Sequence, residues 1–198
     1  MAEISLSYFG AKYYLVSNLS LSTTDTTLNS ADELLDILSC DVGAITKDMT
    51  AKRTLNGNGW ETVTPLGQSI SEGSIGLLRK GTGDVYQTPG GTSTYARLRD
   101  WVNAAISEGG ATLERSLVEL IPRGNGAYEG TVYTVVPTSF TPGVRDTENG
   151  QEYSVGIKAY GAPVPVVVTV NGTTISIKKY TAPAQTPAAE EPAAEGGN

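Results

Sequence analysis

The residues best equipped for chemistry in this sequence are carboxylates, and the first group of them is Asp32, Glu33 and Asp36. A pair of such groups, one with a raised pKa, can serve acid–base catalysis or glycoside hydrolysis. Ser30 opens an S-x-x-E pattern ahead of an apolar run, which predicts a short capped helix; a strand through residues 37–42 is the alternative. On such a helix the three carboxylates are more typical of a solvated face near its N-terminus than of a catalytic pair.

A second group, Asp146, Glu148 and Glu152, offers oxygen atoms suited to Ca²⁺, but its spacing matches no known calcium loop. A charged, solubilising loop is the simpler interpretation. The glycines on either side of Thr82 and the pair Gly90-Gly91 lack the strand–loop–helix setting of a phosphate-binding loop, so they indicate turns.

The sequence contains no histidine and a single cysteine, Cys40. The commonest general base and metal ligand is therefore missing, and one cysteine forms neither an internal disulfide nor a cysteine-based zinc site. We predict that the protein is not an enzyme and needs no cofactor and no metal. Cys40 is interpreted as a small buried apolar residue.

The chain of 198 residues has a formal net charge of −7 and is long enough for one domain with its own core. Acidity argues against a protein that grips nucleic-acid phosphates, because that requires clustered lysine and arginine. No segment approaches the roughly 20 apolar residues of a membrane span, and the N-terminus does not resemble a secretory signal. We expect a protein made and kept in a reducing cytoplasm.

The elements that position any functional surface are predicted to be mainly strands, because β-branched and aromatic residues alternate with polar ones. Both faces of the central strands carry apolar residues, so part of the sheet is expected to be left uncovered for another partner. One amphipathic helix is predicted at residues 94–108, ended by Gly109-Gly110. The predicted strands are residues 4–9, 13–19, 74–78, 112–121, 127–136, 150–160, 163–170 and 173–180.

Residues 45–74 form the least regular stretch of the body, with turn signals at Asn56-Gly57 and Asn58-Gly59. An ordinary flexible surface loop is the simplest interpretation. Solvated loops seldom carry a tryptophan with several aliphatic residues, however, whereas interface arms do. The candidate interface residues are Trp60, Val63, Pro65, Leu66 and Ile70.

From residue 181 the composition changes to alanine, proline, glutamate and glycine. This segment has too little apolar content to order itself, so the prediction is a folded domain over residues 1–180 and a disordered tail over residues 181–198.

The order of these elements resembles the major tail tube proteins of long-tailed bacteriophages with non-contractile tails. The resemblance covers roughly residues 5–168 and begins with the glycine-containing loop that carries residues 60–67, Trp-Glu-Thr-Val-Thr-Pro-Leu-Gly. It continues with the helix at residues 94–108 and the strand pair around Pro122-Arg123-Gly124-Asn125-Gly126. The loop at residues 140–150 and the strand at residues 152–160 complete it.

The resemblance implies a β-sandwich or partly rolled β-barrel with one flanking helix and a long extended loop. It also implies hexameric rings that stack into a tube, in which residues 45–74 reach an adjacent ring. The implied partners are further copies of the chain, the tape-measure protein, and tail terminator and tip proteins; viral DNA would pass through the lumen during ejection without specific binding. Such a protein belongs to the virion tail, is assembled in the host cytoplasm and needs no membrane.

Two other functions remain open from the sequence. A monomeric β-sandwich binding module, of carbohydrate or adhesion type, would present an exposed aromatic platform, with Tyr128, Tyr133, Tyr153 and Tyr160 as candidates. A small acid–base enzyme would need a deep pocket with paired carboxylates. A tube from a contractile tail is a near neighbour of the first interpretation.

Overall fold

The computed structural model describes residues 10–17, 19–53, 61–79, 93–108, 113–146 and 150–182. Strands dominate these ranges, together with one α-helix, α1, and a single 3₁₀ turn at Ser30–Asp32. The strands are β1 Lys12–Val16, β2 Thr26–Thr27, β3 Ile37–Asp41, β4 Ile45–Arg53, β5 Glu61–Ile70, β6 Glu72–Arg79, β7 Arg115–Gly124, β8 Ala127–Asp146, β9 Gly150–Asn171 and β10 Thr174–Lys179; α1 is Thr94–Glu108.

One curled antiparallel sheet contains eight of the ten strands, and β4 and β5 form a separate two-stranded sheet. The main path runs β1-β7-β8-β9-β10-β2, and β6 pairs with β9 on one side and β3 on the other. The first part of β9 is paired with β6, whereas its last part is paired with β10. The expected partly rolled, mainly β fold with one flanking helix is therefore confirmed.

The long hairpin of β8 and β9 forms the centre of this sheet. Its pairing extends from Glu129 opposite Val167 to Asp146 opposite Gly150, with three register shifts along the way. Bulges of this kind bend a strand and increase its twist, which lets one ribbon follow a curved sheet. Gly161 adds a backbone bend with a φ of +74°, a conformation that favours glycine.

The sheet buries apolar side chains on both faces. The first core contains Leu117 of β7 together with Val155 and Ile157 of β9, and α1 packs against it. The second core lies on the opposite face and includes Val118 of β7 and Ile177 of β10. Neighbouring residues of β7 thus serve different cores, as the period-two alternation of a strand requires.

Helix α1 covers the first core with an aromatic and aliphatic stripe. Tyr95, Leu98 and Trp101 are all buried, and the Trp101 Nε1–H donates to the Leu113 carbonyl oxygen at 2.8 Å. The hydroxyl oxygen of Ser93 accepts from the Ala96 amide, which caps the start of the helix. The sequence prediction of this helix is confirmed at both ends.

Several sequence predictions need correction. The expected helix after Ser30 is only the turn Ser30–Asp32, capped by the side chain of Asn29, and the alternative strand is present as β3. The stretch 45–74 is not irregular, because most of it lies in β4, β5 and β6. The predicted loop at residues 140–150 is largely strand, since β8 continues to Asp146. The predicted strand at residues 4–9 and tail residues 183–198 lie outside the described residues.

Gly73 and Gly67 provide a matched test of close strand packing. A Cβ atom at Gly73 would collide with the backbone carbonyl oxygen of Asp41, whereas a Cβ at Gly67 meets nothing within 4 Å. We expect Gly73→Ala to destabilise the fold by about 1–3 kcal/mol and Gly67→Ala to change stability by less than about 1 kcal/mol. Urea unfolding of both variants measures this difference, and equal effects would contradict the packing argument.

Trp101 is the second test, because it is buried and its indole N–H has a defined acceptor. We expect Trp101→Phe to cost about 2–3 kcal/mol, since it removes apolar area and leaves the Leu113 carbonyl oxygen without this donor. Tyr180→Phe, at an aromatic side chain that is 48% exposed, should leave the unfolding midpoint unchanged. A Trp101→Phe variant as stable as the parent would show that the helix is held by other contacts.

Candidate functional site

The hairpin of β4 and β5 contains most of the predicted interface residues. Val63 and Pro65 of β5 lie opposite Ala51 and Met49 of β4, and Leu66 is the next residue of the same strand. Their role as an interface stays a prediction, and Trp60 lies outside the described residues. Ile70, by contrast, is buried in the first core, where it anchors the end of β5 to the body.

The base of this hairpin is clamped to its own chain but leaves its first residues exposed. The Ala44 amide donates to the Ser71 hydroxyl oxygen at 2.8 Å, and the Ser71 amide donates to the Ala44 carbonyl oxygen at 3.0 Å. Ile45 is nevertheless 54% exposed, and Lys47 and Gln68 are exposed as well. The hairpin therefore leaves the body at a fixed point with little of its base covered.

A surface of small polar side chains lies on the face of the sheet opposite the first core, and we call it the open face. One row across four strands consists of Ser39, Gly76, Ser154 and Thr141, and the next of Asp41, Ser74, Gly156 and Ser139. Residues paired directly across strands point to the same side of a sheet. The two rows therefore form a continuous surface.

The charged residues on this open face are mainly acidic. Asp41, Glu72 and Glu152 share it with Lys158, whose ammonium group donates to the Ile70 carbonyl oxygen. The carboxylate of Glu72 accepts a hydrogen bond from the Thr138 hydroxyl. A surface with small side chains and an excess of negative charge has little with which to hold a phosphate backbone.

A cleft of about 630 Å³ separates the start of β1 from β3, and we call it the β1–β3 cleft. Its closed end is formed by residues 33–36, where the Leu34 amide donates to the Tyr13 carbonyl oxygen at 2.7 Å and the Leu78 amide to the Asp36 carbonyl oxygen at 3.0 Å. Leu35 and Leu38, which line the cleft, are 61% and 55% exposed. Isolated apolar residues are common on protein surfaces, whereas two exposed leucines beside one cleft form an apolar patch.

Two ion pairs fix the polar rim of the cleft. Lys12 Nζ lies 2.8 Å from Glu33 Oε1, and this hydrogen bond raises the pKa of Lys12 above its ordinary value. The guanidinium of Arg97 lies 3.9 Å from Asp32 Oδ1 and donates to the carbonyl oxygens of Asp32 and Glu33, at 3.2 and 3.1 Å. The first carboxylate group of the sequence is thus part of a structural rim, and only its Asp32 lies in a helical turn.

A half-buried polar cluster lies behind this rim. The Tyr133 hydroxyl donates to Glu119 Oε2 at 3.3 Å. Burial raises the pKa of Glu119, and hydrogen bonds from Tyr133 and Tyr13 oppose that rise. Burial, with Glu119 and Asp41 nearby, raises the pKa of Cys40 to about 12. A thiol with that pKa is protonated at neutral pH. Cys40 packs against the first core but is only partly buried and lines the cleft, whereas the sequence predicted a buried residue.

The structure does not assemble the aromatic platform that a sugar-binding module would need. Tyr153 is buried in the first core, whereas Tyr128 packs against the second core on the opposite face of the sheet. Tyr133 is half-buried and bonded to Glu119, and Tyr160 alone of the four is exposed, so the candidate tyrosines share no exposed surface.

The described ranges also contain no cluster of three or more histidine, cysteine, aspartate or glutamate residues arranged to hold a metal ion. Asp146 ends β8 and Glu152 lies in β9, while Glu148 lies outside the described residues. No helix in the described residues is both long enough and apolar enough to cross a membrane.

No protein-family model and no curated protein sequence matches this chain. Several solved structures do share its fold. A chain of the PVC extracellular contractile injection system, in the structure of its sheath/tube terminator in the extended state, aligns with a TM-score of 0.58 and 12% identity over 83% of this chain and 99% of that chain. A chain of the anti-feeding prophage tube-terminating cap aligns with a TM-score of 0.55 and 11% identity over 91% and 95%.

A chain of the PVC sheath–tube complex in the extended state aligns with a TM-score of 0.52 and 13% identity, over 84% of this chain and 94% of that chain. In each case nearly the whole matched chain is covered. The protein therefore has the fold of chains found in tail-like contractile injection systems.

Proposed function

We propose that this protein is a structural subunit of a phage-type tail tube, which polymerises as stacked hexameric rings into a conduit for DNA ejection. The open face is the observation that carries this proposal. A helix backs the sheet on one side, while rows of serine, glycine and threonine make the other side smooth, polar and net acidic. The fold shared with chains of contractile injection systems supports the same assignment.

In this proposal the open face lines the lumen. Small side chains present few protrusions to a passing polymer, and the carboxylates of Asp41, Glu72 and Glu152 repel phosphates. Lys158 is held by a backbone carbonyl oxygen, which limits its reach toward DNA. The tape-measure protein and tail tip proteins are the expected partners, and the tail of a virion is the expected location.

The neighbouring structures belong to contractile systems, whereas the order of elements in the sequence resembles tubes of non-contractile tails. A conduit built from stacked rings is common to both interpretations, so the proposal does not depend on the choice between them. In both kinds of tail, the tube subunit itself would determine the charge of the lumen and the contacts between rings.

A tube-terminating ring is the second candidate function. Alignment with 99% of a chain from a sheath/tube terminator structure, and with 95% of a chain from a tube-terminating cap, favours it. A terminator would form one ring that binds a tube end, whereas a tube subunit would continue to stack.

Assembly state distinguishes these functions. We expect the purified protein, when concentrated, to form hollow rods built of six-fold rings in negative-stain electron microscopy, with matching early elution in size-exclusion chromatography. Rings that never stack would favour the terminator. A monomer at every concentration, also when mixed with preformed tail tips, would contradict both and favour the monomeric binding module.

The lumen assignment makes a separate prediction about DNA. Ser139 and Thr141 of β8 are exposed, one in each open-face row, so Ser139→Lys with Thr141→Lys should convert tubes that ignore DNA into tubes that retain it at low salt. Retention should fall steeply with salt concentration, because it depends on counterion release.

The matched control is Ser20→Lys with Thr23→Lys, which makes the same two kinds of substitution at exposed positions of the loop before β2. These variants should not retain DNA inside the tube, as measured by nuclease protection of a labelled duplex. Equal protection by both pairs, or tight DNA binding by the parent tubes, would show that the open face does not line the lumen.

A further inference from the structure

Within the described residues, the hairpin of β4 and β5 contacts the body near its base, where Ile45, Gln68 and Ile70 lie beside residues 158–163 of β9. It forms a two-stranded sheet of its own, and neither strand pairs with a described strand of the main sheet. An isolated two-stranded hairpin is at best marginally stable in water. Its base at Ile45 and Gln68 is exposed, while Ile70 at its end lies in the core. A strand of nine residues spans about 30 Å, so the hairpin can reach well beyond its point of attachment.

The charge of this hairpin is opposite to that of the protein. Residues 45–70 contain Lys47, Lys52 and Arg53 against Asp48 and Glu61, a net charge of +1 in a chain that carries −7. All three basic residues lie in β4. The most favourable surface for this strand is therefore an acidic one.

The β1–β3 cleft has the complementary properties. Exposed Leu35 and Leu38 line it together with the carboxylates of Glu33 and Asp36. Lys12, the basic residue of the cleft wall, is already paired with Glu33. An apolar floor with an acidic rim suits a strand that presents both aliphatic and basic side chains.

The strands that border the cleft also have unused edges within the described ranges. There β3 pairs only with β6, and β1 pairs with β7 and touches residues 33–34 at one end. A free strand edge accepts an additional strand through backbone hydrogen bonds, and neighbouring pockets then select its side chains. The cleft thus offers the three kinds of contact that a docked strand uses.

We propose that the β1–β3 cleft of one copy receives the β4–β5 hairpin of a second copy. This inference rests on the proposed assembly into rings and names the two surfaces that meet. The chain's own hairpin is not the occupant, because β4 follows β3 after a short connection and is held there by the Ala44–Ser71 bonds, and its described residues pair with neither β1 nor β3.

Zero-length carbodiimide cross-linking of an equal mixture of ¹⁴N- and ¹⁵N-labelled protein tests the contact in the unmodified chain. Assembled protein should yield heavy–light peptide pairs that join Lys47 or Lys52 to Glu33 or Asp36. The yield should fall as salt concentration rises, because exposed charges are screened. Assembled rings that give heavy–light pairs only between other regions would overturn the proposal.

Charge-changing substitutions test the same contact without a cross-linking reagent. Leu38→Lys places a positive charge in the cleft, and we expect it to raise the concentration needed for assembly by about thirtyfold or more. Lys52→Glu with Arg53→Glu in the parent chain should also weaken assembly, because the two changes lower the net charge of the hairpin from +1 to −3 against a cleft lined by Glu33 and Asp36. Tyr180→Lys, at an exposed aromatic outside the cleft, is the matched control and should assemble like the parent.

Circular dichroism of the Leu38→Lys monomer checks that the substitution leaves the fold intact. We expect an unchanged spectrum, because the Leu38 side chain is exposed. Parent protein that never assembles would overturn the proposed function together with this inference. Parent protein that assembles while Leu38→Lys, or Lys52→Glu with Arg53→Glu, assembles equally well would overturn the docking contact alone.

Discussion

The pairing of β8 with β9 constrains every other strand of the main sheet. β7 attaches to β8, while β6 and β10 attach to β9, and the remaining strands follow from these. A slip of one residue would exchange Val155 and Ile157 of the first core with Ser154 and Gly156 of the open face. The burial of one set and the smoothness of the other therefore depend on a single register, which also explains why glycine serves at position 156, where a Cβ would collide with the Ser139 and Thr138 hydroxyl oxygens.

Two cores on opposite faces give this sheet an asymmetry that suits assembly. Helix α1 closes the first core, and the second core is closed by Leu28, the residue after β2, together with Leu19 and Leu21 from the segment before β2. The open face lies behind the first core and is left with small polar residues. Alternate residues of the same strands therefore serve two purposes. One set packs in the core of the monomer, and the other set forms the polar surface of the open face.

Local sequence signals predicted the parts of this fold in which residues close in sequence are also close in space. Asn125-Gly126 and α1 are such cases, with positive φ at both turn residues and one apolar helix face. The resemblance placed a loop at residues 140–150, whereas β8 continues to Asp146 with register shifts at Pro137 and Pro142. The hairpin of β4 and β5 escaped prediction because residues 45–53 and 61–70 show no regular alternation of apolar and polar side chains.

The protonated state of Cys40 has a consequence for redox behaviour. Disulfide exchange requires a thiolate, and a thiol with a pKa of about 12 supplies almost none at neutral pH. Glu119 and Asp41 add electrostatic opposition to the anion. Copies of the chain brought to high local concentration are therefore expected to form disulfides through this residue only slowly at neutral pH.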